Sequence, residues 1–472
     1  MRPFVFGRKT IQMSFKFKKP LSLNIQRYLS TDINPRLQEF WMPFTYERQF
    51  KLEPRMLTRS QGMYYWDDQE NKVLDGTSGL WCVNAGHRNR RVSDAIKSQV
   101  DRLDFAPTFQ MGHPIAFDCA NKLIQELFPD KSMSKVFFTN CGSTAVDTAL
   151  KIAIAYQQSR GKGNKTRLIG RERGYHGVGF GGISVGGIGP NRSSFGPLLN
   201  GVDHLPHTHS FKHMAFSKGQ PEWGEHLADE LENIIELQGQ SNIAAVIVEP
   251  VSGSGGVIVP PKGYLERLRQ ICDAHDILLI FDEVITGFGR LGGIFAADAL
   301  GVQPDMICAA KALTNAAVPC GAAFIKEEIH QSITAHAEST GGTIELFHGY
   351  TYSGHPLAMA ACMATVDALI QDGIIENGKN HIAYFEEGIH SLGDIPIVRD
   401  IRNLGLMGAV ELHPRDGKVG QRGYEAFCEA LRKGVLLRCT KDTLAMSPPL
   451  IAEKPHYDQL FQTLRNVLLE LR

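Results

Sequence analysis

From residue 135 to 326 the chain alternates short, wholly apolar runs with segments of helical period. Residues 135–140 (KVFFTN), 167–170, 244–251 (AAVIVEPV), 277–284 (ILLIFDEV) and 306–311 (MICAAK) read as strands. Runs such as VIV and LLIF lack polar alternation, as expected for strands covered on both faces. Between them, over 264–276, Leu265, Leu268, Ile271 and Cys272 recur at helical spacing after Pro260-Pro261. Residues 144–156 (TAVDTALKIAIAY) read as a further helix. This alternation predicts a parallel sheet in an α/β domain. Beyond about residue 381 the pattern mixes helices with short strands such as 435–438 and ends in an amphipathic helix over 455–472. A second, smaller domain is therefore expected.

Ligands of open parallel sheets sit at the carboxyl ends of the strands. Residues 140–143, Asp282 and Lys311 all fall at or just past such ends. Two opposite charges after buried apolar runs must be paired or used, because burying a lone charge is costly. One chemistry asks for this pair, that of pyridoxal phosphate (PLP): a lysine links to the aldehyde and a carboxylate keeps the ring nitrogen protonated. Gly142 and Ser143 open the helix after the first strand, where free backbone N–H groups and the helix dipole suit a phosphate. Tyr175-His176 follows the strand at 167–170 and offers an aromatic face for a flat ring. Taken singly, each of these has a plainer reading: a Ser cap, a packing pair, an ion pair.

Other motifs carry less. Two GxGxxG matches, beginning at Gly177 and Gly287, lack the strand–turn–helix setting of a dinucleotide site. The glycine-rich stretch to Gly189 is expected to remain non-helical. His204, His207, His209 and His213 lack a matching carboxylate or cysteine, so a surface loop is expected and no metal. Arg438 suits a carboxylate or a structural salt bridge equally.

Composition is ordinary for a globular chain, with 43% hydrophobic and 21% charged residues. With 50 basic against 50 acidic residues, nothing points to nucleic acid as a partner. No apolar run is long enough for a membrane helix. The nine cysteines contain no C-x-x-C pair, so neither zinc nor a disulfide framework is expected. The first 31 residues hold seven basic and no acidic residues, interspersed with Ser, Phe and Leu. That composition predicts a mitochondrial transit peptide over 1–31 and a location in the mitochondrial matrix.

Eight stretches together resemble class III aminotransferases of PLP fold type I, most of all the ω-amino acid:pyruvate (β-alanine–pyruvate) group. They are FWMPFT (40–45), GLWCVNAGH (79–87), RLDFAPTFQMGHP (102–114), RERGYHGVGFGGISVGGIG (171–189), FDEVITGFGR (281–290), AAKALTN (309–315), HGYTYSGHP (348–356) and DTLAMSPPL (442–450). The resemblance implies a large domain on a mainly parallel sheet, over 99–360. It implies a smaller α+β domain made from an N-terminal segment, 32–98, and a C-terminal segment, 361–472. It implies PLP as cofactor and, as substrates, a small amine and a 2-oxo acid. Lys311 becomes the Schiff-base lysine and Asp282 the partner of the ring nitrogen. Val284 packs on the ring face opposite Tyr175, with His176 beside it, and Gly142 and Ser143 hold the phosphate. Thr351 reaches the phosphate of a neighbouring subunit, implying a homodimer or higher homo-oligomer. Phe44 and Trp81 line the substrate pocket, Arg438 binds the acceptor carboxylate, and Glu249 bonds near the cofactor or neutralises Arg438. Two positions depart from the pattern: Cys141 replaces the common Ser and Thr144 the usual Glu, though Thr144 can still cap the helix. An aminomutase of the same fold keeps the same lysine and aspartate, and a non-catalytic PLP-fold binding protein and an NAD-dependent dehydrogenase are further alternatives.

Overall fold

The structure, a computed structural model, describes residues 34–471. The chain divides between Leu57 and Thr58 into two units. In the first, the helix Glu47–Leu52 presents the Phe50 ring to the Arg55 guanidinium, 5.2 Å away. The expected transit peptide lies outside the described residues.

The second unit is organised by a seven-stranded sheet. Its strands are β1 (Lys135–Thr139), β2 (Arg167–Arg171), β3 (Val202–Leu205), β4 (Ile243–Val248), β5 (Leu278–Asp282), β6 (Met306–Ala309) and β7 (Gly321–Ile325). Their order is β1-β7-β6-β5-β4-β2-β3; β7 runs antiparallel to both neighbours and the other pairs are parallel. The sheet is thus mainly parallel, as the alternating pattern predicts. β4 and β5 are buried at every position. Successive residues alternate between two cores. Val246, Val248, Leu279 and Phe281 pack with Leu265 and Leu268 of the helix Tyr264–Ala274. Ala245, Ile247 and Ile280 pack with Ala149, Leu150 and Ala153 of α1 (Gly142–Ser159). Each buried branched side chain contributes roughly 1.5–3 kcal/mol, so an unbroken apolar run stabilises both faces at once.

Several expectations shift. β5 stops at Asp282 rather than residue 284, and β6 stops before Ala310, so Lys311 opens a 3-10 turn, Lys311–Thr314. β3 and β7 are absent from the pattern reading; β7 is short and begins with glycine. The glycine-rich stretch does turn helical, at Phe180–Val185 and Gly189–Arg192. The single strand expected over 435–438 is two strands in two sheets. Val435–Leu436 pairs parallel with Lys72–Asp75, joining distant parts of the chain. Arg438–Thr440 pairs antiparallel with Thr443–Met446, which continues into Met407–Leu412 and Val398–Leu404.

Candidate active site

A cavity of about 290 Å³ opens at the ends of β1, β2, β4, β5 and β6. Asp282, Lys311, Gly142, Ser143, Tyr175, His176, Val284 and Glu249 all reach its wall.

Lys311 sits on one side. Its φ is 51°, a left-handed conformation that costs a non-glycine residue energy and marks a constrained turn. Asn315 and Ala316 are left-handed as well, with φ of 50° and 57°. Asn315 braces the turn: its Oδ1 accepts from Ala85 N at 2.9 Å and its Nδ2 donates to Gly86 O at 2.8 Å. The motifs AAKALTN and GLWCVNAGH are therefore two sides of one joint. Burial lowers the Lys311 pKa, opposed by the nearby Cys82, Asp282 and Glu249. A less basic amine spends more time neutral and so able to attack or take a proton.

Asp282 stands at the end of β5, only 5% exposed. Its Oδ2 lies 2.8 Å from His176 Nδ1 and its Oδ1 accepts from Val284 N at 3.2 Å. His176 thus holds the carboxylate, while its own Nε2 is buried without a partner. Glu283, the neighbour in sequence, does structural work instead. It accepts from Ala296 N and Ala297 N at the start of a short helix and from Thr286 Oγ1. Burial pushes its pKa up to about 7.

At the N-terminus of α1 the amides of Gly142 and Ser143 fall in the first turn, where no intrahelical acceptor exists. Thr144 closes a capping box: its Oγ1 accepts from Cys141 N at 3.0 Å and Asn140 N at 3.1 Å. The departure from Glu at this position therefore keeps the cap. The glycine run wraps this helix start. Val178 N donates to Ser143 Oγ at 3.1 Å, and a Cβ on Gly177 would lie 2.4 Å from that oxygen. Gly177 has a φ of 89°, so both conformation and space exclude a side chain. The GxGxxG match is a packing device here.

Glu249 is buried, with Oε1 accepting from Tyr175 N at 2.8 Å and Oε2 from Gly253 N at 3.1 Å. Burial pushes its pKa up to about 7. It has no ion pair with Arg438. Arg438 opens its strand exposed and has no ion-pair partner among the described residues, yet its charge acts on both Lys311 and Tyr175. Trp81 is buried among Val251, Val257 and Ile285, one layer behind the cavity wall, with a φ of 62°. Its neighbour Cys82 feels the Lys311 charge. Thr351 is exposed and outside this cavity. Phe44 lies in the first unit, 74% exposed. Of the four histidines, His204 lies on β3, 3.0 Å from Gly186 O, and His213 stacks on Trp223, while His207 and His209 stay together, His207 Nδ1 accepting from His209 N at 3.2 Å.

These residues fit PLP. A lysine and an anchored carboxylate share a cavity whose other end is a glycine-opened helix start. Unpartnered Asn140 Oδ1 and His176 Nε2 also belong to its walls. Sequence reasoning put Asn140 at a ligand-bearing strand end without giving it a role, and overlooked Thr314 and the segment 318–320 of the wall. Their only signal was proximity to the lysine and serine motifs.

A family profile, aminotransferase class-III, matches residues 45–468. An omega-aminotransferase of Caulobacter vibrioides is 57% identical over 92% of this chain and 97% of its own. A beta-alanine–pyruvate aminotransferase of Pseudomonas aeruginosa is 46% identical over 94% of this chain and 98% of its own. An amine transaminase from an uncultivated Pseudomonas species, solved in its PLP-bound form, superposes with a TM-score of 0.84 at 35% identity, covering 92% and 99% of the two chains. These relatives overturn the mitochondrial expectation. They are bacterial, and mitochondrial gamma-aminobutyrate transaminases match more distantly, at 36% and 34%. The profile, the relatives and the lysine–carboxylate cavity agree: this chain belongs to the class III aminotransferases, enzymes of PLP fold type I that use pyridoxal phosphate.

Proposed function

We propose that this transaminase moves the amino group of β-alanine, or a similar distal amine, to pyruvate, giving a semialdehyde and alanine in two half-reactions. The observation that carries the reading is Arg438, a cation with no ion-pair partner among the described residues, whose charge reaches Lys311. An unpaired guanidinium within electrostatic reach of the reacting lysine suits the carboxylate of a small 2-oxo acid. The names of the Caulobacter and Pseudomonas relatives support the same substrate class.

When bound, PLP supplies an aldehyde that links to amines and a ring that takes up electrons. The chain's residues do the rest. Lys311 Nζ would take the proton from the amine-bearing carbon and pass it to the cofactor, and in the second half-reaction carry a proton from the cofactor to the carbon of the 2-oxo acid. Asp282, held by His176, would be the partner of the ring nitrogen. Val284 and Tyr175 would bracket the ring, and Gly142 and Ser143 would hold the phosphate. Glu249 orients Tyr175 through its backbone N–H. Trp81 backs the amine side through its packing with Ile285. Arg438 swings toward pyruvate and away from donors without a carboxylate nearby.

A homodimer completes the site in this reading, with Thr351 reaching the phosphate of the neighbouring subunit. Exposed Phe109, Met111, Phe117 and Phe347 in and around the same motifs supply apolar surface for the contact. The test is a half-reaction. β-Alanine added to PLP-loaded enzyme should bleach the cofactor's absorbance, and pyruvate should restore it as alanine appears. Absorbance untouched by β-alanine but bleached by 4-aminobutyrate would replace the donor. Turnover without any 2-oxo acid would replace transamination with aminomutase chemistry.

A further inference from the structure

The turn of the Arg438–Met446 hairpin lines a second cavity, of about 630 Å³, which shares no wall residue with the cofactor cavity. Three cations line it: Arg173, Arg399 and Lys441. None has an ion-pair partner among the described residues. Arg173 Nη2 donates to Gly255 O at 2.9 Å, and the Arg399 guanidinium lies 3.7 Å from the centre of the Phe211 ring. The two acids in the wall are already engaged. Glu411 pairs with Arg402 at 2.9 Å, and Asp442 accepts from Gly420 N at 2.6 Å and Gly423 N at 3.0 Å.

Behind this wall Arg402 is 4% exposed, and its Nη2 is buried without a partner. A Cβ on Gly256 would meet Arg402 Nη2 at 3.1 Å and Arg173 Nη2 at 3.8 Å. Two guanidinium groups therefore converge on this glycine beside Gly255. Burial and the Arg402 charge lower the Arg173 pKa, opposed by the Glu411 charge. Ser254, Thr440 and Thr443 add hydroxyls to the wall.

We propose that this cavity binds a small oxyanion, a phosphate or carboxylate group, between Arg173 and the free Nη2 of Arg402, with Lys441 at its rim. Guanidinium pairs suit such groups because planar N–H forks match their oxygens. A cation is disfavoured. His209, Asp400 and Glu411 do bring ligand atoms within 4.8 Å of one another. Arg402 Nη1, however, lies 2.6 Å from Asp400 and 2.9 Å from Glu411 and already supplies their positive partner. An anion here ties the hairpin turn at Lys441 to the loop at Arg173, two residues before Tyr175.

The experiment is calorimetric titration of PLP-loaded enzyme with inorganic phosphate and, separately, with succinate. Saturable binding at one site per chain is expected for at least one of them; the tighter of the two assigns the class. Arg173→Gln should weaken it about tenfold or more, and Lys441→Gln less, in the same direction. Gly256→Ala should weaken it with every charge kept. Arg438→Ala should leave it unchanged, which separates this site from the substrate cation. No saturable binding of either anion overturns the proposal. So does unchanged affinity in both Arg173→Gln and Lys441→Gln, or loss of binding in Arg438→Ala.

Discussion

The strand ends of the main sheet and the hairpin that begins at Arg438 treat charge in opposite ways. At the strand ends the acids are tied down. Asp282 is held by His176 and Val284 N, and Glu249 by Tyr175 N and Gly253 N. Around the hairpin, Arg438, Lys441 and Arg399 have no ion-pair partner among the described residues. A buried acid held by several donors keeps one position, which suits a cofactor that stays. A cation left unpaired obtains its counter-charge only when a ligand arrives, which suits substrates that come and go.

That contrast can be broken most severely at Lys311. Lys311→Ala should cut turnover by about 10²–10⁴-fold or more, since no other amine reaches the wall of the cavity. Single-turnover absorbance with β-alanine reads this directly. Asp282→Asn keeps the shape and removes the charge; a loss on the order of 10²-fold in kcat is expected. If its activity stayed near the parent value, the anchored carboxylate would be structural only.

Arg438→Ala sharpens the other side. Hydrogen bonds to charged groups contribute about 1.5–3 kcal/mol, so kcat/KM for pyruvate should fall roughly 10–100-fold. The amine half-reaction should change much less. Equal losses in both would make Arg438 a scaffold residue. Gly177→Ala forces a Cβ against Ser143 and should weaken PLP retention about tenfold, near 1.4 kcal/mol. Equilibrium dialysis of the cofactor measures it.

The smallest effect is a pH slope. Glu249 keeps its proton up to about 7 when folded, against 4.5 for an ordinary glutamate. Its contribution to stability is complete below the ordinary value and is lost as pH rises to about 7. Tm measured across that window should fall less steeply in Glu249→Gln than in the parent. Identical slopes would mean that the folded carboxyl ionises like an exposed one.

Much of the site was legible along the chain because its parts fall where strand periodicity ends. Asp282, Lys311 and Ser143 each stand at the close of an apolar run or the start of a helix, and backbone pattern alone puts such residues on one edge of a parallel sheet. Pattern failed where a strand runs against its neighbours or its partners are distant in sequence. β7 begins with glycine and runs antiparallel to both neighbours, and 435–438 splits between two sheets because its partners are Lys72–Asp75 on one side and Thr443–Met446 on the other.

The chain by itself determined the chemistry: a lysine, a carboxylate and a glycine-opened helix start at spacings that local periodicity can carry. Only the tertiary structure decided what surrounds them. His176 anchors Asp282, Asn315 braces the lysine turn against Gly86, and Gly177 gives way to Ser143. It also leaves Arg173 and Arg402 converging on Gly256. These are pairings between residues from about 30 to more than 200 positions apart, and no local period encodes them. They follow from which strands lie side by side, and that is settled by burying the apolar faces together.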